Sequence, residues 1–452
     1  MEVWRIVRIL AGAVASGLLL GLALPPYGVW PLGWVALVPL FATVVEAGLL
    51  VGFVAGLLTG LLPAILLANG LVPVPHPMEG DATWIYGGFL LFGAFLGAMG
   101  ALVGESKRFG LGKAAAFAAV GVLLAYLLTL ILPEHVALTQ SRFWPALVLS
   151  SITGIWGVSF WVWLTNFALV ASLGSARRLV WIAASWLFLS LLFTVLAPPD
   201  VGENNLRVAV VQTRSTDLGI LSQMTSEATQ RGARLCIWPE LSGVVAAPAG
   251  NTAELKKGST HLSAFITTFE DSAQPKPHNA AALFDGGRES ERYFKRRPFA
   301  GEANKHAAGT RPVAVSWGDT QVGLNICYDS CYPAIIRDTA RLPGVQLIAL
   351  PTLDPVSSGG VVQSLHAAYT PFRAAENGIT IARADVSGYS MIVSPSGTVQ
   401  AELGVDDGIA SGVIMPPRET IYRRLGDWFV LTALIGVLAS AIGALRLKLQ
   451  RR

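Results

Sequence analysis

Long apolar stretches dominate the first 198 residues and recur once near the C-terminus. An apolar stretch of roughly 17 to 25 residues is long enough to cross a bilayer as a helix. About seven such stretches precede residue 198, and one more follows residue 427. The pattern predicts a polytopic α-helical membrane bundle of about eight spans. The predicted spans are 6–24, 30–46, 48–70, 84–104, 114–132, 147–172, 179–197 and 428–445.

The pattern changes between Pro198 and Pro417, where short β-rich runs alternate with polar or amphipathic segments. Runs such as LRVAVVQT, NAAALFD, TQVGLNIC, VQLIALPT and GITIARADV predict strands, and residues 215–232, 333–341 and 361–376 predict helices. This alternation is typical of a layered α/β domain. The predicted domains are therefore a bundle over 1–198, an α/β domain over 205–415 and a last span over 428–445.

Composition supports a membrane protein. Hydrophobic residues make up 53% of the chain, charged residues only 14%, and mean hydropathy is +0.54. The hydrophobic fraction is higher, and the charged fraction lower, than in ordinary soluble chains. The net charge of +4 is too small to indicate nucleic acid as a partner.

The basic residues predict an orientation, because cytoplasmic loops carry an excess of Lys and Arg. With a cytoplasmic N-terminus, the opposite short loops hold only Arg142, and Arg423 and Arg424 fall just before the last span. Both termini would then lie inside a bacterial inner (cytoplasmic) membrane, with the α/β domain on the periplasmic or extracytoplasmic side. The cytoplasmic set is Arg5, Arg8, Lys107, Arg108, Lys113, Arg177, Arg178, Arg446, Lys448, Arg451 and Arg452.

Three residues of the α/β domain have the chemistry of a nucleophilic site. Glu240 ends the run CIWPEL, Lys295 lies in RYFKRR, and Cys327 lies in VGLNICYDS. A cysteine that attacks a carbonyl needs a base for its proton and a cation for the oxyanion. Each residue also has a structural reading: Cys327 as a core residue, Glu240 as a cap, and Lys295 as part of an exposed basic cluster.

The local sequences around these residues resemble the carbon-nitrogen hydrolase (nitrilase) superfamily. WPEL at 238–241, Lys295 after an aromatic residue and the pair Cys327-Tyr328 carry the resemblance. Within it, the whole chain resembles the bacterial apolipoprotein N-acyltransferase family through GLALPPYGVWPLGWVALVPLF at 21–41. A later series resembles the same family: His366, Arg373, Ala374, Glu376, Arg383, Gly388 and Ser390. The resemblance implies a nitrilase-like α-β-β-α sandwich for the α/β domain.

The resemblance also implies roles. Glu240 would be the general base, Cys327 the nucleophile that takes a fatty acyl chain from a phospholipid as a thioester, and Lys295 the oxyanion stabiliser. The acceptor would be the N-terminal amine of a diacylglyceryl-cysteine lipoprotein. Glu302, Tyr328 and Asp329 would support the three catalytic residues.

Some positions depart from the family. Asp329 stands where the family usually has Glu, and the loop from Pro298 to Glu302 follows the lysine at a shorter spacing. The run from Leu350 to Asp354 replaces an Asn-Asp pair that precedes Trp-Phe. The altered segments Ala300–His306 and Pro351–Gly360 therefore predict a change in substrate handling.

No cofactor or metal is predicted. The six histidines are scattered, with no H-E-x-x-H and no clustered Cys/His spacing, and no Gly-rich phosphate loop follows a strand. The cysteines are Cys236, Cys327 and Cys331. We predict that Cys327 is a free thiol and that Cys331 is buried on the following turn or helix.

Three functions remain open from the sequence. The first is an N-acyltransferase that acts on lipoproteins. The second is a membrane-tethered amidase or lipid hydrolase that uses the same three residues with water as acceptor, which the altered loops favour. The third is a non-catalytic membrane scaffold, which the loss of several loop residues of the family favours.

Overall fold

A computed structural model describes residues 2–68, 83–107, 109–133, 135–196, 206–272, 276–299, 301–354 and 361–450. The predicted domain boundaries at 198 and 205, Ala300, and residues 355–360 of the second altered loop lie outside these ranges. The chain forms two compact units. One is Met1–Leu196 with Asp427–Arg452, and the other is Ala197–Gly426.

The first unit is entirely helical where it is described. Within those ranges, six of its helices are long and apolar enough to cross a membrane, and shorter apolar helical segments cover Trp30–Val44, Leu49–Ala64 and Trp144–Thr153. Its last helix covers Trp428–Gln450. The preceding helices are α1 (Glu2–Ala23), α2 (Trp30–Gly33), α3 (Val38–Val44), α4 (Leu49–Ala68), α5 (Thr83–Gly104), α6 (Leu111–Leu128), α7 (Trp144–Thr153), α8 (Ile155–Ser172) and α9 (Ala176–Leu196).

Two predicted spans are interrupted. Residues 30–46 form α2 and α3, with Pro31 and Pro39 in the first turns of the two helices, because proline lacks the N–H that a helix interior requires. Residues 147–172 form α7 and α8, which meet at Gly154 with φ of +68°. Each of these two predicted spans is therefore made of two helices.

A buried asparagine of α8 pairs with backbone groups in the interruption between α2 and α3. The Asn166 side chain accepts a hydrogen bond from the Leu37 N–H at 2.9 Å and donates one to the Gly33 carbonyl at 3.0 Å. In an apolar medium unpaired backbone groups are costly, so this side chain stabilises the irregular segment.

Helices α4 and α5 approach at backbone distance. A Cβ on Gly56 would lie 2.2 Å from the Leu96 carbonyl oxygen, and one on Gly52 would lie 2.2 Å from the Gly100 carbonyl oxygen. Glycines at such spacing let membrane helices pack closely.

The second unit contains two sheets and six helices in the described residues. Its helices are α10 (Leu218–Gln230), α11 (Ala253–Gly258), α12 (Pro333–Ala340), α13 (Val361–Ala367), α14 (Tyr369–Asn377) and α15 (Ile421–Leu425). Its strands are β1 (Arg207–Gln212), β2 (Leu235–Ile237), β3 (Ala264–Asp271), β4 (His278–Asp285), β5 (Arg288–Glu289), β6 (Tyr293–Phe294), β7 (Val313–Trp317), β8 (Thr320–Leu324), β9 (Val345–Thr352), β10 (Thr380–Asp385), β11 (Met391–Val393), β12 (Val399–Glu402) and β13 (Gly408–Val413).

The two sheets have similar topologies. The first has the order β13-β1-β2-β3-β4-β5, with β6 also paired to β4, and the second has the order β12-β11-β10-β9-β8-β7. In each sheet three central strands are parallel: β1, β2 and β3 in the first, and β8, β9 and β10 in the second. Their near-continuous apolar runs suit strands that are buried on both faces.

Three apolar clusters define the layers. Residues of β1, β2, β8 and β9 share one cluster, so the sheets pack face to face. Leu221 of α10 and Leu255 of α11 pack on the outer face of the first sheet, and Ile336 of α12 and Ala374 of α14 pack on the outer face of the second. This confirms the predicted α-β-β-α sandwich. Glu240 and Cys327 follow the carboxyl ends of the parallel strands β2 and β8, and Lys295 follows β6, which is antiparallel to β4.

Candidate active site

Glu240 is positioned by the segment that follows β2. The Trp238 ring stacks on Phe265 with centroids 4.1 Å apart, and its indole N–H donates to Thr225 Oγ1 at 2.9 Å. The Glu240 N–H then donates to the carbonyl of Thr352, the last residue of β9, at 3.2 Å. The carboxylate of Glu240 is thereby buried between the ends of strands from both sheets.

Lys295 follows β6 and is fully enclosed, with 2% of its side chain exposed. Its backbone N–H donates to the Asn279 carbonyl at 2.9 Å. The ammonium donates to Glu240 Oε1 at 2.8 Å and to Glu302 Oε2 at 2.6 Å. An ammonium has three N–H donors, so one remains for a third acceptor.

Asn279 is a site residue that the sequence analysis missed. Its amide Nδ2 donates to Glu240 Oε1 at 2.6 Å and to Glu302 Oε1 at 2.9 Å, and the residue is fully buried. A signal was present in the sequence, since Asn279 is a lone amide in the otherwise apolar strand NAAALFD. A buried amide in such a strand requires partners.

Cys327 lies at a sharp turn just after β8. Its φ is +48°, a left-handed conformation that costs a non-glycine residue about 1–3 kcal/mol. A 3₁₀ turn, Cys327–Cys331, begins at this residue. The thiol Sγ lies 3.8 Å from the Leu353 carbonyl oxygen. Strained backbone of this kind is concentrated at functional sites.

Asp329 joins the cysteine turn to the lysine segment. Its Oδ2 accepts from Tyr293 OH at 2.7 Å and from the Ile326 N–H at 3.0 Å, and its Oδ1 accepts from the Arg297 N–H at 2.8 Å. Asp329 is fully buried, and burial raises the pKa of its carboxyl despite these donors. Asp329 thus holds the turn through three hydrogen bonds.

Aromatic residues flank the turn. The Tyr328 ring packs edge-on against Phe299 at 5.2 Å and Tyr332 at 5.3 Å between centroids. Phe299 is 38% exposed, and Leu353 next to the thiol is 40% exposed. Apolar side chains therefore lie on both sides of Cys327, from the two loops that the sequence analysis identified as altered.

Glu302, the predicted supporting glutamate, lies beside Lys295 although the spacing after the lysine is altered. Glu302 lies in a short 3₁₀ turn, and its Oε2 accepts from the Phe299 N–H at 3.1 Å as well as from Lys295. Burial would raise the pKa of Glu302, but Lys295 and Asn279 outweigh burial and lower it. Glu302 is therefore the ionised partner that keeps the ammonium in place.

The charges favour a protonated thiol and a charged lysine at rest. Burial and the Glu240 carboxylate raise the pKa of Cys327 well above its usual value, although Lys295 opposes them. Burial lowers the pKa of Lys295, but attraction to Cys327, Glu240 and Glu302 raises it well above its usual value overall. Burial also raises the pKa of Glu240, against the attraction of Lys295.

A free acceptor is available for the thiol proton. Within the described residues, Glu240 Oε2 has no hydrogen-bond partner, whereas Oε1 is bonded to Lys295 and Asn279. An interaction with the Cys327 side chain also lowers the pKa of Glu240. The arrangement suits proton transfer to Glu240 as a carbonyl is attacked, rather than a standing thiolate.

A second charged cluster lies on the other side of Cys327. The thiol, a carboxylate oxygen of Asp354 and a ring nitrogen of His366 lie within 4.8 Å of one another. Arg383 Nη2 donates to Asp354 Oδ2 at 2.5 Å and to Asp385 Oδ2 at 2.6 Å. These residue types could ligate a soft cation, but the Arg383 guanidinium already occupies one Asp354 oxygen. No sequence spacing indicated this cluster, because β9, α13 and β10 each supply one part of it.

All three cysteines are buried and free. Burial raises the pKa of Cys236 to about 12, so this thiol is an inert core residue.

Comparisons with known proteins cover both halves of the chain. The family model described as carbon-nitrogen hydrolase matches residues 207–416. The model described as apolipoprotein N-acyltransferase N-terminal domain matches residues 16–168.

Individual proteins are similar to the whole chain or to a part of it. An apolipoprotein N-acyltransferase of Geobacter metallireducens is 24% identical over 503 residues, which cover 96% of this chain and 95% of the relative. One of Rhodopseudomonas palustris is 35% identical over 117 residues, or 25% of this chain and 22% of the relative. The crystal structure of an amidase from Nesterenkonia sp. is 25% identical with a TM-score of 0.43, and covers 51% of this chain and 97% of that one.

Proposed function

Because the chain belongs to the apolipoprotein N-acyltransferase branch of the carbon-nitrogen hydrolase superfamily, we propose that Glu240, Lys295 and Cys327 catalyse its acyl transfer. The reaction moves a fatty acyl chain from a membrane phospholipid to the N-terminal amine of a diacylglyceryl-cysteine lipoprotein. The observation that carries the assignment is the ammonium of Lys295, which donates to Glu240 at 2.8 Å and to Glu302 at 2.6 Å beside the Cys327 thiol.

In the first half-reaction Glu240 takes the Cys327 proton as Sγ attacks the ester carbonyl of the phospholipid. The carbonyl oxygen becomes an oxyanion, and the remaining donor of Lys295 stabilises it. The ester C–O bond then breaks, and the proton on Glu240 passes to the departing lysophospholipid oxygen. The acyl group is left on Cys327 as a thioester.

In the second half-reaction the acceptor amine attacks the thioester carbonyl. Glu240 accepts a proton from the attacking nitrogen, and the carbon–sulfur bond breaks to give an amide. The released thiolate takes that proton and restores the resting thiol. Donor and acceptor share the plane of the membrane, which removes much of the entropic cost of bringing them together.

The proposal assigns lipid contact to the membrane segments 1–198 and 428–445 and the chemistry to 205–415. This is a multi-pass membrane protein with lipid and lipoprotein substrates. The distribution of Lys and Arg supports an extracytoplasmic α/β domain with both termini in the cytoplasm. The exposed Phe299 and Leu353 support acyl-chain entry between the two altered loops.

Intact-mass analysis tests the proposal. The detergent-purified protein is incubated with phospholipid, with and without a diacylated lipopeptide that bears a free N-terminal amine. Wild type should gain a hydroxylamine-sensitive acyl adduct and pass it to the lipopeptide as an amide. Cys327→Ala should gain none, and Cys236→Ala should behave as wild type because that thiol lies in the core.

Two other outcomes identify the alternatives. An adduct that is lost to water without amide product would identify a lipid hydrolase or amidase. Wild type without an adduct, under conditions in which a related N-acyltransferase is labelled, would reject the assigned residues and leave a non-catalytic scaffold.

A further inference from the structure

His366, on α13, makes a complete set of hydrogen bonds around the nucleophile. Its Nδ1 lies 2.7 Å from Asp354 Oδ1. Its Nε2 lies 2.8 Å from Ser330 Oγ and 3.2 Å from the carbonyl oxygen of Cys327. Ser330 Oγ donates to the same carbonyl at 2.8 Å.

The partners determine where the imidazole protons lie. An ionised carboxylate and a carbonyl only accept hydrogen bonds, so Nδ1 must donate to Asp354 and Nε2 must donate toward Ser330 and Cys327. Ser330 uses its single proton on the carbonyl, so its oxygen accepts from Nε2. All these bonds are satisfied at once only when both ring nitrogens carry protons.

The groups that face His366 support the charged ring. Burial lowers its pKa, but the carboxylate of Asp354 and the neighbouring Cys331 raise it to about 10. Burial raises the pKa of Asp354, but His366 and Arg383 outweigh burial and lower it. Arg383 connects Asp354 to Asp385, so a buried chain of alternating charges ends at His366.

The end of this chain is the residue with the strained backbone. Cys327 has φ of +48°, and its carbonyl receives donors from both His366 and Ser330. We propose that His366, oriented by Asp354, is a positioning residue that clamps the Cys327 carbonyl and so holds the left-handed turn that presents Sγ to Glu240 and Lys295. This inference rests on the proposed function of Cys327 as the nucleophile.

His366 does not act as a second catalytic base. Nε2 is committed to Ser330 Oγ and the carbonyl, and Nδ1 to Asp354, so neither nitrogen has a free lone pair for the thiol proton. Among the described residues, Glu240 Oε2 is the carboxylate oxygen of the catalytic residues that has no hydrogen-bond partner. The expected effects of His366 are therefore on the geometry of Cys327 and not on its proton.

The test measures acylation in a single turnover. Thioester formation on the full-length protein in mixed micelles is followed by intact mass as the phospholipid concentration is varied. His366→Ala should lower the acylation rate constant about 100-fold, since a small misplacement of a reacting atom has this effect. The half-saturating phospholipid concentration should stay unchanged because His366 does not touch the lipid.

Two more conservative variants test the same role if His366→Ala fails to fold. His366→Gln retains an N–H donor without the charge and should recover about tenfold of the lost rate. Ser330→Ala removes only the bridging hydroxyl and should lower the rate about tenfold. His261→Gln changes an exposed histidine of the same unit and should match wild type.

A second readout separates this inference from the proposed function. Alkylation of Cys327 by iodoacetamide, measured without lipid by peptide mapping, should become about tenfold faster in Ser330→Ala, because a relaxed turn releases the thiol from its enclosed position. In one outcome, wild type forms no thioester while Cys327 is alkylated at a different rate in Ser330→Ala and His366→Gln than in wild type. That result would support the positioning role of His366 and reject the proposed function.

The opposite result overturns the clamp. If wild type forms the thioester, and both Ser330→Ala and His366→Gln acylate and alkylate at wild-type rates, His366 does not position the nucleophile. The pH profile adds an independent check. Wild-type acylation should fall as pH rises toward the His366 pKa of about 10, and this fall should be absent in His366→Gln.

Discussion

Two buried charge networks flank Cys327, and they act on different parts of it. The network of Glu240, Lys295 and Glu302 surrounds the thiol and leaves one carboxylate oxygen and one ammonium donor unused. The network that ends at His366 leaves neither ring nitrogen unused and reaches the carbonyl of the cysteine. At Glu240 and Lys295, spare hydrogen-bonding capacity is available for the reaction, whereas the ring nitrogens of His366 are fully used in holding the geometry of Cys327.

Removing the cation of the first network should give the largest effect. Lys295→Met should lower the acylation rate about 10²- to 10³-fold, because the oxyanion loses its donor. It should also lower the free energy of unfolding by about 3–5 kcal/mol, since Glu240 and Glu302 lose the cation that neutralises them and keep the neutral donors of Asn279 and Phe299.

Single-turnover mass analysis and chemical denaturation in detergent measure these two quantities. Lys257→Met, which changes an exposed lysine of α11 in the same unit, is the matched control. Acylation at the wild-type rate in Lys295→Met would show that the oxyanion is stabilised by other groups.

Replacing Asp329 with glutamate, the acid that the family usually has, should affect acylation and stability less than Lys295→Met does. Asp329→Glu adds one methylene to a fully buried site whose two oxygens already hold three donors. We expect a loss of about 1–3 kcal/mol in stability from overpacking. Acylation should fall less than in Lys295→Met because the thiol keeps both chemical partners.

Thermal unfolding followed by tryptophan fluorescence measures the stability change. A more stable Asp329→Glu protein would show that the site has room for the longer side chain. Asp338→Glu is the control, because that carboxylate is 39% exposed and bonded only to Arg296 among the contacts of the described residues.

The smallest expected effect is on the pH dependence of stability. The pKa of His366 is raised from 6.5 to about 10, so its contribution is fully present below pH 6.5 and is lost as pH rises toward 10. Burial, and then repulsion from Asp354, raise the pKa of Asp385 to about 7, so stability also falls as pH rises from 3.8 to about 7.

The melting temperature measured between pH 7 and pH 10 should therefore fall more in wild type than in His366→Gln. His261→Gln is again the control. Parallel curves for wild type and His366→Gln would contradict a charged His366 in the folded protein.

The sequence was sufficient for the predictions that depend on local pattern. Apolar length predicted the helical half, alternating strands and helices predicted a layered α/β domain, and the family resemblance implied the α-β-β-α sandwich. The division of spans 30–46 and 147–172 into two helices each was not predicted, because hydropathy counts apolar residues and does not register the backbone change at Pro31, Pro39 or Gly154.

Some residues of the candidate site could likewise be predicted from local sequence, and others could not. Glu240, Lys295 and Cys327 were predicted because each follows a strand in a recognisable run, and Glu302 was predicted from the family resemblance alone. The pairing of Asp354 with His366 could not, since it depends on how β9 and α13 pack in three dimensions. Asn279 stood out as an amide in an apolar run, but its bond to Glu240, 39 residues away, depends on the packing of the chain.

The close approach of α4 and α5 limits how this protein can evolve. Most apolar positions on the outside of the helical half can exchange among Leu, Ile and Val without losing hydropathy. Such substitutions should therefore have little effect on stability. Gly52 and Gly56 cannot accept even alanine without separating two backbones. In saturation mutagenesis of the helical half, these glycines should therefore tolerate no substitution, whereas the apolar positions around them should tolerate many.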